Sequence, residues 1–304
     1  MPIFSIQKNK LEKIKEIAFK NEREIQNLTQ KSLKDIFGLE FVKSEFELHN
    51  LRIDTLTFDN ESKSFVIIEF KREKNFSVID QGYAYLALLL NNKADFILEY
   101  NEQMDKSLKR GDVDWSQSKV IFVSPKFTNY QRQAINFRDL PIELYEVAKY
   151  ENGSISYTQL KSPETSESIT RISRGSDVVR EVSKEIKVYT EADHLVNIPE
   201  DIAGLYEKIK ARFLNIGDDI QIRPKKYYIA FVAAKNFVDV HLQKSQIKLW
   251  LNMNKGELDD PRNMAKDVSN VGHWGNGDYE TKLKVGADLD YLITLIKQSY
   301  LKNK

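Results

Sequence analysis

The segment from Phe65 to Phe70, FVIIEF, is apolar on both alternating faces apart from one glutamate: Phe65 and Ile67 precede Glu69 on one, and Val66, Ile68 and Phe70 form the other. A strand apolar on both sides has to be covered on both sides, so the chain is constrained to a sheet packed between other elements. The run before it, Leu51 to Asp59, is rich in Leu, Ile, Thr and Phe, and the polar cluster DNESKS between the two is a turn signal. A loop over Asn60–Lys63 sets Asp59 opposite Ser64, Phe58 opposite Phe65 and Leu56 opposite Ile67; a tighter loop at Glu61-Ser62 gives the same register. Carried on two residues at a time, it sets Asp54 opposite Glu69 and Arg52 opposite Lys71. Opposed residues share a face, with Cβ atoms roughly 4.5–5.5 Å apart. One face of this hairpin therefore runs from an apolar end to a charged end.

Two carboxylates facing each other across a ladder repel unless a cation lies between them. On a strand covered on both sides the cost is high, and a hard divalent cation would offset it, because Mg²⁺ takes one or two carboxylates plus phosphate oxygens and water. Lys71, one pleat beyond Glu69 on the same face, would point at whatever that cation holds. The competing reading, a frayed hairpin end with solvated charges, is equally compatible with the spacing alone.

Asp54 followed by an apolar strand ending in Glu69-Phe70-Lys71 resembles the PD-(D/E)xK nuclease superfamily. The flanks resemble it too. NEREIQNLTQKSLKDIFGLEFV is similar to the first helix of such enzymes, with Glu24, or else Glu22, as the glutamate facing the site. SVIDQGYAYLALLL is similar to the helix after the catalytic strand, and Gln81 stands where several subfamilies place a site glutamine. The resemblance covers roughly residues 10 to 150; Ile53, rather than Pro, precedes Asp54. It implies phosphodiester hydrolysis with Mg²⁺ or Mn²⁺, with Asp54 and Glu69 as metal ligands and Lys71 orienting water or stabilising the transition state. Glu24 would hold a metal-associated water or second ion, and Gln81 would position water or the backbone. For both Glu24 and Gln81 an ordinary solvated helix position is the alternative.

Composition limits the rest. A chain of 304 residues suits two domains. The absence of cysteine excludes a disulfide framework and thiolate zinc sites, and His49, His194, His241 and His273 have no metal-ligand spacing. No apolar leader opens the chain and YAYLALLL is too short to span a bilayer, so a cytoplasmic protein without membrane contact is expected. Residues 1–160 carry 23 Lys+Arg against 24 Asp+Glu, and the remainder 23 against 21, which gives the net charge of +1. A nucleic-acid binder usually shows a basic footprint; here affinity must come from a local patch, or from a metal that the count omits.

The pattern predicts an amphipathic helical region over about 9–37, with Leu11, Ile14, Ala18, Ile25 and Leu28 near one stripe. Strands follow at about 39–48, 51–59 and 64–72. Ser77 and Asp80 open a helix running to about 91. DFILEY and KVIFVS read as strands, TNYQRQAINF as a helix, IELYEVAKY as a strand and SISYTQL as an edge strand. Mixed strands flanked by helices indicate an α/β fold with a restriction-endonuclease-like mixed sheet for residues 1–160. Residues 161–188 are polar and serine-rich and read as a linker, with a long intradomain loop as the alternative.

Residues 189–304 predict an α+β domain with an antiparallel meander. IPEDIAGLYEKIKARFLNI is an amphipathic helix, YYIAFVAA, FVDVHL and QIKLWLNM are successive strands, and DLDYLITLIKQSY is a closing helix. This half resembles an uncharacterised domain that ends some restriction-type and nuclease-like proteins. Relatives of this layout are also labelled predicted transport proteins, a label that the lack of a membrane segment does not support. Lys248 beside Trp250 could pair a phosphate and stack a base, or Trp250 could lie under a helix. The glycine-rich VGHWGNGDYE, with His273 and Trp274, is a candidate ligand loop, or else a tight structural turn. The whole predicts a metal-dependent nuclease acting on nucleic acid, with DNA expected, in defence or repair. A homodimer is compatible with it, and the second domain serves recognition or protein interaction. The alternative is a non-catalytic nucleic-acid-binding or regulatory protein on a nuclease-like scaffold.

Overall fold

A computed structural model describes residues 2–49, 51–72, 77–137, 139–161, 166 and 176–304. Contacts divide the chain into two compact units, Met1–Val188 and Tyr189–Lys304.

In the first unit a mixed sheet runs in the order β3 (Glu16–Ile17), β8 (Ile142–Tyr150), β7 (Lys119–Ser124), β6 (Ser64–Phe70), β5 (Leu51–Asp59) and β4 (Glu40–Leu48), with β9 (Ile155–Leu160) also on β8. β4, β5 and β6 are antiparallel, whereas β6, β7 and β8 are parallel. Every residue of β6 is buried, as its two apolar faces require. Val66, Ile68 and Phe70 pack with Ile25 of α1 (Glu22–Gln30) and Leu33 of α2 (Leu33–Phe37). Phe65 and Ile67 pack on the opposite side with Leu86 and Leu89 of α3 (Val78–Asn91) and Phe96 of α4 (Lys93–Met104). The hairpin register is the expected one, with Asp59 against Ser64, Phe58 against Phe65 and Leu56 against Ile67.

Three elements differ from expectation. Residues 9–21 are not helical: β1 (Ile3–Gln7) and β2 (Lys10–Ile14) form a hairpin, and helix begins only at Glu22, capped by Asn21. The turn residues Lys8 and Asn9 both have positive φ, 47° and 61°, as a two-residue hairpin turn with the sheet's own twist demands. The stripe of Leu11 and Ile14 only coincides with a helical period. DFILEY lies within α4 rather than forming a strand: Phe96 and Tyr100 are buried while Leu98 is 57 % exposed, a pattern of period near 3.6 and not 2. Within 161–188, residues 162–165 and 167–175 lie outside the described residues. The remainder is not a bare linker, because Asp177–Glu185 is a helix whose Val179 and Val182, with Ile186, enter the first unit's core against α3.

The second unit is a six-stranded antiparallel sheet in the order β10 (Gln221–Pro224), β11 (Ile229–Val232), β12 (Asn236–Gln243), β13 (Gln246–Leu251), β15 (Tyr279–Leu283) and β14 (Lys266–Asp267). The predicted meander is β11 to β13; β10 on one side and β15 with β14 on the other add to it. Val238, Val240, Leu249 and Leu251 face the helices Glu200–Leu214 and Leu289–Asn303. Asp239 and Trp250, cross-strand partners, alternate onto the other face. Among the described residues no helix is long and apolar enough to cross a membrane.

Candidate functional site

Paired ladder positions on β5 and β6 end at Thr55 and Ile68. One step further, the Asp54 carboxylate takes over what the backbone would have done: Oδ2 accepts from the Phe70 N–H at 2.9 Å. β6 keeps its parallel neighbour past its last strand residue, since the Lys71 N–H donates to the Val123 carbonyl at 2.9 Å. This holds Asp54, Glu69 and Lys71 at one strand end. Glu69 is 3 % exposed, and its Oε1 accepts from Lys71 Nζ at 2.7 Å and from Gln81 Nε2 at 3.4 Å. Its Oε2 is buried with no hydrogen-bond partner among the described residues. Burial first, and then the Asp54 charge, pushes the Glu69 carboxyl up to about 7. Burial also raises Asp54, against the opposing effect of the Phe70 N–H. A buried carboxylate oxygen without a donor is costly. An unpartnered Glu69 oxygen at the strand end that also carries Asp54 fits a hard divalent cation, which needs only one or two carboxylates when phosphate and water complete its shell. Among the described residues no group of three His, Cys, Asp or Glu side chains could hold a metal, so the fit is to that two-carboxylate kind of site.

Gln81 reaches Glu69 from the first turns of α3, and the same Nε2 donates to Tyr85 Oη at 3.2 Å, one helical turn on. The Tyr85 hydroxyl donates to the Arg52 carbonyl at 3.1 Å, tying α3 to the strand that carries Asp54. Tyr85 was not anticipated, although Gln81 and Tyr85 at i and i+4 share a helix face. Two further residues were missed. Gln26 of α1 is buried, and its Nε2 contacts the Asp54 carbonyl at 2.9 Å, Glu45 Oε1 at 3.0 Å and Ser44 Oγ at 3.2 Å. Glu45, flanked by the ladder pairs Ser44–Thr55 and Phe46–Ile53, lies across from Asp54 and is paired with Arg52 at 3.0 Å; its charge adds to the upward push on Asp54.

Glu24 is engaged elsewhere. Its Oε1 accepts from Lys149 Nζ at 2.5 Å and its Oε2 from the Lys20 N–H at 2.6 Å, and the Lys149 contact holds its carboxyl below the usual range. Glu22 is the residue of that turn that meets the continuation of β6, accepting from the Arg72 N–H at 2.6 Å. Arg72, Lys126, Glu16 and Phe19 line a cavity of about 360 Å³ in this unit.

The four second-unit candidates divide. Trp250 is 2 % exposed and packs with Tyr228, Ala230 and Val268; it is a core residue of the sheet's second face. The loop after β14 closes over it. His273 stacks on its ring at 6.1 Å between centroids, with ring nitrogens against the Val271 and Gly277 carbonyls. A Cβ at Gly275 would come within 2.5 Å of the Trp250 ring, so only glycine allows this approach. Lys248 lies 3.4 Å from Glu280 and 5.9 Å from the Trp250 ring centroid. Trp274 alone is presented outward, 55 % exposed and stacked on Tyr227 at 4.9 Å. Buried Asp239 anchors the loop by accepting from the Asn276 N–H at 2.6 Å.

Residues 191–303 match the family described as Domain of unknown function (DUF5655). An uncharacterized protein of Haemophilus influenzae (strain ATCC 51907 / DSM 11121 / KW20 / Rd) is 49 % identical over 299 residues, which is 98 % of this chain and 99 % of that protein. Among solved structures, the EndoMS–dsDNA2 complex is similar at 16 % identity and a TM-score of 0.28, over 43 % of this chain and 47 % of that one. A repair endonuclease from Pyrococcus abyssi is similar at 18 % identity and a TM-score of 0.22, over 39 % and 44 %. The chain thus spans less than half the length of these two solved proteins.

Proposed function

The chain belongs to one family with the Haemophilus influenzae protein, and we propose that its first unit is a metal-dependent nuclease of the PD-(D/E)xK type, acting on nucleic acid, with DNA the expected substrate. The observation that carries this reading is the unpartnered carboxylate oxygen: Glu69 Oε2 is buried without a hydrogen bond at the strand end that carries Asp54, while Lys71 caps the other oxygen. Asp54 and Glu69 would hold Mg²⁺ or Mn²⁺. When bound, the cation would polarise a phosphoryl oxygen and neutralise charge developing there. Lys71 supplies a fixed positive charge at the same edge, of the kind that stabilises a phosphorane-like transition state. Gln81 and Tyr85 orient Glu69 and the Asp54 strand, and Gln26 fixes the Asp54 backbone. Glu24, engaged by Lys149, supports an arrangement in which it holds the helix start rather than a second ion. In the second unit Trp274, stacked on Tyr227 and edge-on to His241, is the candidate for substrate or partner contact, whereas Trp250 lies beneath the loop that carries it.

The test is cleavage of single-stranded, duplex, branched and modified DNA, and of RNA, by the full chain with Mg²⁺, Mn²⁺ or chelator. Asp54→Asn and Lys71→Ala should each lower the rate by about 10²-fold or more in a chain that still folds. Binding without cleavage of any substrate by either metal form would replace the nuclease by a nucleic-acid-binding protein on the same scaffold.

A further inference from the structure

The β1–β2 hairpin pairs with no other strand among the described residues. Phe4, Ile6, Leu11 and Lys13 lie on one of its faces, with Ile6 directly opposite Leu11 beside the turn. That face is open: Phe4 is 46 %, Leu11 68 % and Ile6 77 % exposed. A lone two-stranded ribbon is marginal in water, so an apolar tip on it needs a reason. The ribbon also carries Lys8, Lys10, Lys13 and Lys15 against the single Glu12, and no ion pair engages these lysines among the described residues. The first 160 residues carry 23 cationic and 24 anionic side chains, so this is positive charge concentrated locally in a unit that has no excess of it.

The root of the ribbon is fixed next to the candidate site. β3 continues from β2 and pairs with β8, Glu16 against Tyr150. The Lys15 N–H donates to Glu151 Oε1 at 3.0 Å, and the Glu151 N–H returns to the Lys15 carbonyl at 3.0 Å. Glu16 and Phe19 line the 360 Å³ cavity together with Arg72, the neighbour of Lys71, and Lys126. The ribbon therefore springs from the wall of a partly cationic recess one residue from the strand end that holds Glu69 and Lys71.

We infer that this ribbon is a DNA-binding arm that enters the major groove of a B-form duplex, setting Ile6 and Leu11 against base edges and its lysines against the flanking phosphates. The inference rests on the nucleic-acid reading of the first unit. A B-DNA major groove, about 12 Å wide and about 8.5 Å deep, admits a two-stranded ribbon, and strands of five residues reach about 17 Å. Apolar side chains there meet thymine methyl groups. The A-form RNA major groove is too narrow for side chains to read. Pairing of the ribbon with that of a second copy would oppose lysines to lysines, so charge favours the polyanion.

The experiment measures binding of labelled duplex DNA and of duplex RNA of the same sequence to the full chain in chelator, across a salt series, with sedimentation and thermal unfolding of each variant. Ile6→Ser/Leu11→Ser should weaken duplex DNA binding by about tenfold or more, with RNA binding, salt slope and unfolding temperature unchanged. Lys8→Ala/Lys10→Ala/Lys13→Ala should lower the slope of log K against log salt by about 0.9 per lysine. Variants that bind duplex DNA in chelator, and cut it once Mg²⁺ is restored, as the native chain does would overturn the arm and leave the nuclease reading standing. A native chain that binds no nucleic acid would overturn both. A native dimer made monomeric by the serine pair, with DNA affinity intact, would overturn the arm in favour of self-association.

Discussion

Lys71 Nζ lies 2.7 Å from Glu69 Oε1, and that one contact leaves Glu69 Oε2 buried and unpaired at the end of the most enclosed strand of the first unit. The lysine pairs with one oxygen of the carboxylate, while burial and then the Asp54 charge push the group the other way. Neither side chain can be understood alone. Lys71 lowers the cost of ionising Glu69, and burial and Asp54 raise it by more, which leaves Glu69 half-titrated near neutrality.

A pH dependence follows. Glu69 is raised from an ordinary 4.5 to about 7, so between those values the folded chain binds more protons at this position than the unfolded chain. Stability contributed by the protonated carboxyl is full below about pH 4.5 and is lost as pH rises through 7, by about 3 kcal/mol in total. Glu69→Gln should abolish this share of the decline, so the variant gains unfolding temperature relative to the native chain at about pH 8 and not at about pH 5. Mg²⁺ or Mn²⁺ at the higher pH should raise the native value and leave the variant's alone. Parallel pH profiles for the two proteins would count against a strained Glu69.

Gln26 is expected to matter out of proportion to its distance from the chemistry. Its two amide N–H donors are shared among the Asp54 carbonyl, Glu45 and Ser44 from a buried position. Gln26→Leu keeps the volume and strips all three acceptors, at a cost of about 1–3 kcal/mol. Denaturant unfolding should show that loss, and calorimetric titration should show weakened Mn²⁺ binding, because Asp54 is no longer held in line. Lost stability with unchanged Mn²⁺ affinity would make Gln26 a packing residue only.

The hairpin of the site was legible because alternation and a polar turn leave one register; Asp54, Glu69 and Lys71 then follow by counting. Gln81 came only with the resemblance to the nuclease superfamily, since nothing in the local pattern of the helix separates it from a solvated glutamine. Glu24 was not legible: its fate is set by Lys149, 125 positions away in the chain, and no local pattern announces that pairing. Glu45 was hidden for a different reason. The β4–β5 ladder shifts register between Phe41 and Lys43, and Glu45 itself has φ of 52°, so simple alternation cannot say which face it takes. At the amino terminus Leu11 and Ile14 satisfy a helical spacing by coincidence, and the decisive Lys8-Asn9 turn is only two residues long. Trp250 was undecidable locally, because its cover is the loop carrying His273 and Gly275.

The helix Asp177–Glu185 sets the length that a stable first unit requires. Val179, Val182 and Ile186 are buried in the same core as Leu86 and Phe122, Lys93 pairs with Glu185, and the Lys187 N–H donates to the Ser116 carbonyl at 2.9 Å. Burial of such side chains contributes about 1.5–3 kcal/mol each. A fragment of residues 1–188 should therefore unfold at markedly higher denaturant than one of residues 1–160, the latter losing several kcal/mol. Equal midpoints for the two fragments would show that this helix is dispensable to the first unit.

The two tryptophans of the second unit should separate stability from recognition. Trp250 is buried against Tyr228 and Val268, with His273 stacked on it, and truncation would leave a cavity under the loop. Trp250→Ala should cost about 3–5 kcal/mol and lower the unfolding temperature of the second unit before any binding is measured. Trp274 is half exposed and stacked on Tyr227, a contact worth about 0.5–1.5 kcal/mol, so Trp274→Ala should leave the unit folded. Stacking of one base contributes about 1–3 kcal/mol; if Trp274 meets nucleic acid, its loss should weaken single-strand binding by about fivefold or more, with metal-dependent cleavage of saturating substrate unchanged. Denaturant unfolding and fluorescence anisotropy on the full chain read the two effects apart. A Trp250→Ala chain of native stability with weakened binding would reverse the assignment, making Trp250 the contact and Trp274 the bystander.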